Sequence, residues 1–105
     1  MLDRVDLGAG IVAGFTSRVG GFSAGAFDSL NLAEHVGDEL TAVQANRNRL
    51  ADLIGLPLRL MRQVHGRDVH VIDDGWGDEA APAADALVTA KPGLGLSVLV
   101  ADCVP

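Results

Sequence analysis

Apolar positions along this chain fall in short runs, and the spacing inside each run differs. Gly10-Ile-Val-Ala-Gly-Phe-Thr16 is nearly continuous and edged by glycine, which predicts a short buried strand. From Glu39 the spacing becomes helical. Val43, Leu50, Leu53 and Ile54 recur on one side and predict a buried stripe, with Arg47 interrupting it and Arg49 solvated elsewhere. Thr41 is placed to cap the helix start with Gln44 reaching back, and Gly55 followed by Pro57 marks its end. Leu58-Arg-Leu-Met-Arg-Gln-Val64 alternates, with Leu58, Leu60 and Val64 on one face and Arg62 breaking it. Gly66-Arg67-Asp68 reads as a turn and Val69-His-Val-Ile72 as the returning strand, so a β-hairpin is expected with His65 at its bend. Ala84 to Thr89 is a further short strand, and Lys91-Pro92-Gly93 a turn. Leu94 to Ala101 is an apolar run of the kind that is covered on both faces, ending at Asp102 and Cys103.

Between these runs lie polar loops. Ser17-Arg18-Val-Gly20-Gly21-Phe-Ser23-Ala-Gly25 is rich in glycine. Such a loop either makes a tight turn at positive φ or lets backbone N–H groups approach an anion, and the turn is the simpler reading. Phe27-Asp28-Ser29-Leu30-Asn31-Leu32 holds turn formers that either satisfy one another or face a pocket. Arg47, beside an apolar stripe, either snorkels or pairs, or aims its guanidinium fork at a phosphate or purine. The acidic stretch from Asp73 to Ala84 is a long surface connection without calcium-loop spacing.

Composition narrows the classes. The chain of 105 residues is 49% hydrophobic, enough for a packed core, and is expected to be a single incomplete domain over 1–105. Aromatics are 4% and the net charge is −6, which excludes both stacking platforms and a phosphate-backbone surface, so no nucleic-acid partner is expected. No apolar run approaches the roughly 20 residues of a membrane helix. One cysteine requires no oxidising compartment, and a soluble cytoplasmic protein is expected. The run into Asp102-Cys103 closes at Pro105 with no polar tail, which reads as a fragment.

The chemistry concentrates on two residues. A neutral His65 and a thiolate Cys103 are both good zinc ligands, and a catalytic zinc takes three protein ligands plus water. Their separation matches no finger spacing, and a lone imidazole at a bend is also an ordinary surface residue. Alternatively Cys103 is a nucleophile with His65 as its base. His65, Cys103 and its neighbour Asp102 are the catalytic candidates. His35 and His70 are the other imidazoles; His70 would point away from His65 in the expected hairpin, leaving a third ligand to be sought beyond Pro105.

A resemblance covers nearly the whole chain. Phe15-Thr-Ser-Arg18-Val-Gly20-Gly21-Phe-Ser23, Asp28-Ser-Leu-Asn31-Leu32, Val36-Gly-Asp38, Asn46-Arg47-x-Arg49-Leu50, Gln63-Val-His65-Gly66, Ala84-Asp85-Ala86 and Ala101-Asp102-Cys103-Val-Pro105 occur in one order. Together they resemble the YfiH family, also called the multicopper polyphenol oxidase (laccase-domain) family, the purine nucleoside phosphorylase family or peptidoglycan editing factor. The resemblance implies an α/β (α+β) fold with mixed β-sheets sandwiched between helix layers, of which this chain is about the N-terminal half. It implies a zinc site holding His65, Cys103 and a later His from a His-Ala-Gly-Trp-Arg-Gly block that this chain lacks. It implies phosphorolysis of purine nucleosides (adenosine, inosine, guanosine, methylthioadenosine) and deamination of adenosine. Purine nucleoside and phosphate are then the partners, with Asn31 and Arg47 facing the substrate and Arg18 shaping the pocket. With that later ligand missing, the chain alone is expected to be inactive, poorly stable and prone to associate through an open strand edge. A copper-dependent polyphenol oxidase is the alternative its older name suggests, although one Cys, three His and two Met are few ligands for a multicopper cluster. A cell-wall editing factor using Cys103 as a hydrolytic nucleophile is the other.

Overall fold

The structure is a computed structural model and describes residues 1–73 and 81–101. Asp102, Cys103 and residues 74–80 of the expected connection lie outside the described residues. In chain order the elements are β1 (Leu2–Val5), β2 (Ala13–Thr16), a 3-10 turn (Gly25–Phe27), α1 (Leu40–Ile54), β3 (Leu58–Arg59), β4 (Val69–Ile72), β5 (Ala86–Thr89) and β6 (Gly95–Leu96). Helix and strands are mixed, as expected for the fold class, and the strands form small two-stranded sheets. The helix is not long and apolar enough to cross a membrane. Two compact units divide the chain, Met1–Ile54 and Gly55–Pro105.

In the first unit β1 and β2 pair antiparallel, with Leu2 opposite Thr16 and Val5 opposite Ala13. The expected buried strand is therefore shorter and largely exposed: Phe15 is 51% accessible, and Ile11 and Val12 precede the strand in the open. A two-stranded ribbon shields its strands along one edge only, so an apolar run does not ensure burial there. The core of this unit is Leu30, Val43 and Leu50.

Helix α1 begins earlier than the capping pattern suggested. The Glu39 carbonyl accepts from Val43 N–H, and the Asp38 carboxylate accepts from Glu39 N–H, so Thr41 lies inside the first turn. Gln44 does not reach back; it donates to Asn48 one turn on. The reason is tertiary, because Asp38 is already bound to Ser23 and Asn31 and sets where the chain enters the helix. Gly55 ends the helix at φ +72°, the left-handed conformation its position called for. Leu53 of the expected stripe is 45% exposed, and Asn46, fully buried between Val43 and Leu50, takes a place in it.

In the second unit the expected hairpin is absent. β3 pairs with β6 and β4 pairs with β5, both parallel, and Arg62 forms a parallel bridge with Ala83. The two halves of the expected hairpin each find a later partner, because the turn between them is bound elsewhere, as described below. The run from Leu94 is not a long strand covered on both faces. Gly95 is buried, but Leu96, Val98 and Val100 are 40%, 58% and 48% exposed. Hydrogen bonds from Ser97 N–H to Arg59 C=O and from Gln63 Nε2 to Leu99 C=O hold one edge of it, and alternate side chains turn outward. Met61, Ile72 and Ala84 form the core of this unit.

Candidate functional site

The first unit is built around one buried amide. Asn46 Oδ1 accepts from Phe22 N–H at 2.7 Å, and its Nδ2 donates to Ser23 Oγ at 2.9 Å and to Asn31 C=O at 2.8 Å. Ser23, itself buried, donates its hydroxyl hydrogen bond to the Asp38 carboxylate. Asn31 Nδ2 donates to the same Asp38 oxygen at 3.1 Å and to Ala33 C=O at 3.2 Å, while its Oδ1 accepts from Ala33 N–H. One helix residue thereby fastens the glycine loop and the Asn31 loop to α1. Asn31, expected to face substrate, has its amide engaged in this network.

The Ser23 hydroxyl, helped by Asn31 and by Glu39 N–H, holds the Asp38 carboxyl below its usual value of 3.8 against the opposing effect of partial burial. A carboxylate with a depressed folded pKa adds stability above its unfolded pKa and loses it as pH falls through the folded one. Thermal melts between neutral and strongly acidic pH should show this loss beginning near 3.8 and running below it. Asp38→Asn should be less stable at neutral pH and should lack that part of the acid limb. Parallel acid limbs in the two proteins would remove Asp38 from the linkage.

Arg47 is partly buried, with a side chain 19% exposed. Its Nε donates to Leu32 C=O and its Nη1 to Glu34 Oε1, each at 2.8 Å. Of the alternatives read from the sequence, the pairing is the one observed: the guanidinium is bound to Leu32 C=O and to Glu34. Arg18 donates through Nε to Asp28 C=O and is exposed. The glycine loop beside it is a turn. Gly20 N–H and Gly21 N–H both donate to Ser29 Oγ, at 3.1 and 3.0 Å, so these amides are spent on the chain itself. Arg49 is exposed and lies over the Phe22 ring, 5.4 Å from its centroid.

The second unit presents His65. It is exposed, in the left-handed region at φ 58°, on a loop that one carboxylate holds. Asp85 Oδ1 accepts from Val64 N–H at 3.1 Å and His65 N–H at 2.7 Å, and Oδ2 accepts from Gly66 N–H at 2.9 Å. Asp85 is half-buried, and that desolvation raises its pKa. The amides of Gly66, Val64, His65 and Asp68 outweigh it and hold the carboxyl below its usual value. Just before His65, Gln63 donates to Leu99 C=O and ties the loop to the chain that leads toward Cys103. His70 lies on β4 opposite Leu87, and His35 is exposed in the other unit. Among the described residues no three His, Cys, Asp or Glu side chains gather closely enough to hold a metal ion. His65 suits a single ligand position: an exposed imidazole on a loop fixed by hydrogen bonds.

Sequence reading missed Asn46, Ser23, Asp38 and Asp85 as organising residues. Two carried a signal. Asn46 falls at a core-facing helix position between Val43 and Leu50, and Asp85 is a carboxylate set between the buried Ala84 and an apolar strand.

Comparison with known proteins agrees with this architecture. A family described as multi-copper polyphenol oxidoreductase laccase matches residues 12–105. A purine nucleoside phosphorylase of Streptomyces coelicolor is 50% identical over 108 aligned residues, which cover 100% of this chain and 45% of that protein. One from Corynebacterium glutamicum is 54% identical over 95 residues, 87% of this chain and 39% of that protein. The crystal structure of a Neisseria meningitidis protein superposes with a TM-score of 0.86 at 36% identity, covering 97% of this chain and 42% of that one. YlmD from Geobacillus stearothermophilus superposes at 0.72 with 41% identity, over 84% of this chain and 37% of that one. The chain thus spans less than half the length of the curated relatives it matches. With motif order, fold and a match over residues 12–105 in agreement, the chain belongs to the YfiH family, the family described as multi-copper polyphenol oxidoreductase laccase.

Proposed function

We propose that this chain carries part of a zinc-dependent purine nucleoside phosphorylase, with adenosine deamination as a second activity and adenosine, inosine, guanosine and methylthioadenosine as substrates. The observation that carries the reading is the 50% identity, over the whole of this chain, to a protein named purine nucleoside phosphorylase. The fixed backbone of the His65 loop supports it. His65 and Cys103, which follows Asp102 in the sequence, would hold the zinc. Bound zinc supplies a Lewis acid that polarises an oxygen or lowers the pKa of water.

Arg47 is suited to the phosphate. Its Nε is anchored on Leu32 C=O, and its Nη1 already binds one carboxylate oxygen, that of Glu34. Glu34 is 52% exposed, so the ion pair contributes only about 0–1 kcal/mol and an anionic oxygen of the substrate can replace it. Asn31 supports this region by fixing the Leu32–Glu34 segment through its hydrogen bonds with Ala33. Arg18, exposed beside the glycine turn, would shape the rim. The protein would work in the cytoplasm, where nucleosides and phosphate are both present.

The test uses the protein in its natural length. Elemental analysis should find one zinc per chain, and hypoxanthine release from inosine should require phosphate. His65→Ala should lose both. Copper with phenol oxidation, hypoxanthine release from inosine that does not need phosphate, or hydrolysis of peptidoglycan precursors without nucleoside turnover would overturn the reading.

A further inference from the structure

We infer that Asp85 is the positioning residue for His65: its carboxylate gathers the N–H groups of Val64, His65 and Gly66 and so fixes the direction in which the imidazole leaves the chain. The inference rests on the reading of His65 as a zinc ligand and deepens it.

The contacts form one unit. Three successive N–H groups converge on the two oxygens of Asp85 at 2.7–3.1 Å. Successive amides pointing into one concavity make an anion nest, and here a side chain of the same unit fills it. His65 is in the left-handed conformation, and its own N–H and those on either side meet the same carboxylate. Asp85 is in turn anchored, because its N–H and that of Ala86 both donate to Asp68 C=O, at 2.8 and 3.2 Å. That anchor lies where β4 and β5 begin, so the His65 loop takes its position from a sheet.

The same contacts say what Asp85 does not do. A carboxylate has about four acceptor positions. Val64, His65 and Gly66 occupy three. Little capacity remains for a metal ion or a substrate proton. Asp85 therefore acts through His65, by holding a ligand in place before metal arrives.

The test compares the natural-length protein with Asp85→Ala and Asp85→Asn; an asparagine oxygen can keep only part of the amide set. Three readouts are taken on folded protein well below its melting temperature: zinc affinity by competition with a chelator, the visible spectrum with cobalt(II) in place of zinc, and amide hydrogen exchange without metal. Removing a residue that orients a metal ligand should weaken zinc binding by about 10- to 100-fold in Asp85→Ala, with a smaller loss in Asp85→Asn. The cobalt bands should change. Exchange should quicken at Val64, His65 and Gly66 while the β4–β5 amides stay protected. Wild-type zinc affinity and cobalt spectrum in folded Asp85→Ala would overturn the inference. So would a loss of protection spread across β4 and β5 in both variants, which would make Asp85 a general element of the fold. A wild-type protein that takes up no zinc fails differently: it overturns the function proposed above, and the metal role of Asp85 with it.

Discussion

Asn46→Asp is expected to destabilise the protein by roughly 3–5 kcal/mol at neutral pH, although it changes a single nitrogen to oxygen. The acceptor for Phe22 N–H survives, since one oxygen stays in place. The two donors do not. The new oxygen would face Asn31 C=O at 2.8 Å and Ser23 Oγ at 2.9 Å. Ser23 already gives its only proton to Asp38 and cannot serve a second carboxylate. The site has no exposure to water, so the charge can be neither hydrated nor paired. Protonation relieves the charge but returns only one of the two donors. The variant should therefore be least stable at neutral pH and recover part of its deficit as pH falls toward 4. A melting temperature lowered by about 10 °C or more at pH 7, with a smaller deficit in acid, is the expected result. A variant that melts within a degree or two of wild type would show that Asn46 is not the buried junction described above.

Gly21→Ala is expected to cost about as much for a purely steric reason. A Cβ at Gly21 would lie 2.1 Å from the Ser29 carbonyl oxygen and 2.5 Å from Leu30 Cα. Both are backbone atoms, and no rotamer change moves them. The two loops would have to separate, which strains Ser23 N–H to Ser29 C=O, the paired amides of Gly20 and Gly21 on Ser29 Oγ, and the two bonds from Ser29 and Leu30 N–H to Arg18 C=O. Leu30, 6% exposed, would be pulled from the core. A loss of roughly 3 kcal/mol or more is reasonable for overpacking against fixed backbone. Gly25→Ala provides the control. Gly25 sits at φ +63° with nothing near its absent Cβ, so alanine there meets dihedral strain alone, about 1 kcal/mol. Thermal melts of the two variants should differ clearly, with Gly21→Ala the lower. Equal losses would place the cost in backbone conformation and not in close approach.

Both predictions concern the unit that carries Arg18, Asn31 and Arg47, and they bear on function through it. Arg47 and Asn46 are neighbours on α1. The amide that fixes the loops also sets where Leu32 C=O and Glu34 stand relative to the guanidinium. The second unit uses the same device once more, with Asp85 holding the His65 loop. In each case a polar side chain of an anchored element takes up the amides or carbonyls of a loop that bears a candidate site residue.

Features set by local conformation were legible in the sequence alone. The 3.6-residue spacing after Glu39 marked the helix, and Gly55 marked its end because that position needs positive φ. Ala84 to Thr89 read as a strand, and Ala86–Thr89 forms one, because Val88 and Thr89 favour it. The ordered blocks around Arg18, Asn31, Arg47 and His65 identified the family. Tertiary structure alone decided the rest. An alternating run shows that a strand exists but not which strand it meets, so two parallel pairs replaced the hairpin expected from nearness in sequence. The burial of Asn46 and the grip of Asp85 on His65 rest on hydrogen bonds that span 24 and 20 residues. Periodicity and propensity act over a few residues and are silent at that range. Which donor meets which acceptor there depends on where packed elements bring the chain, because a buried polar group accepts only a partner that fits its geometry.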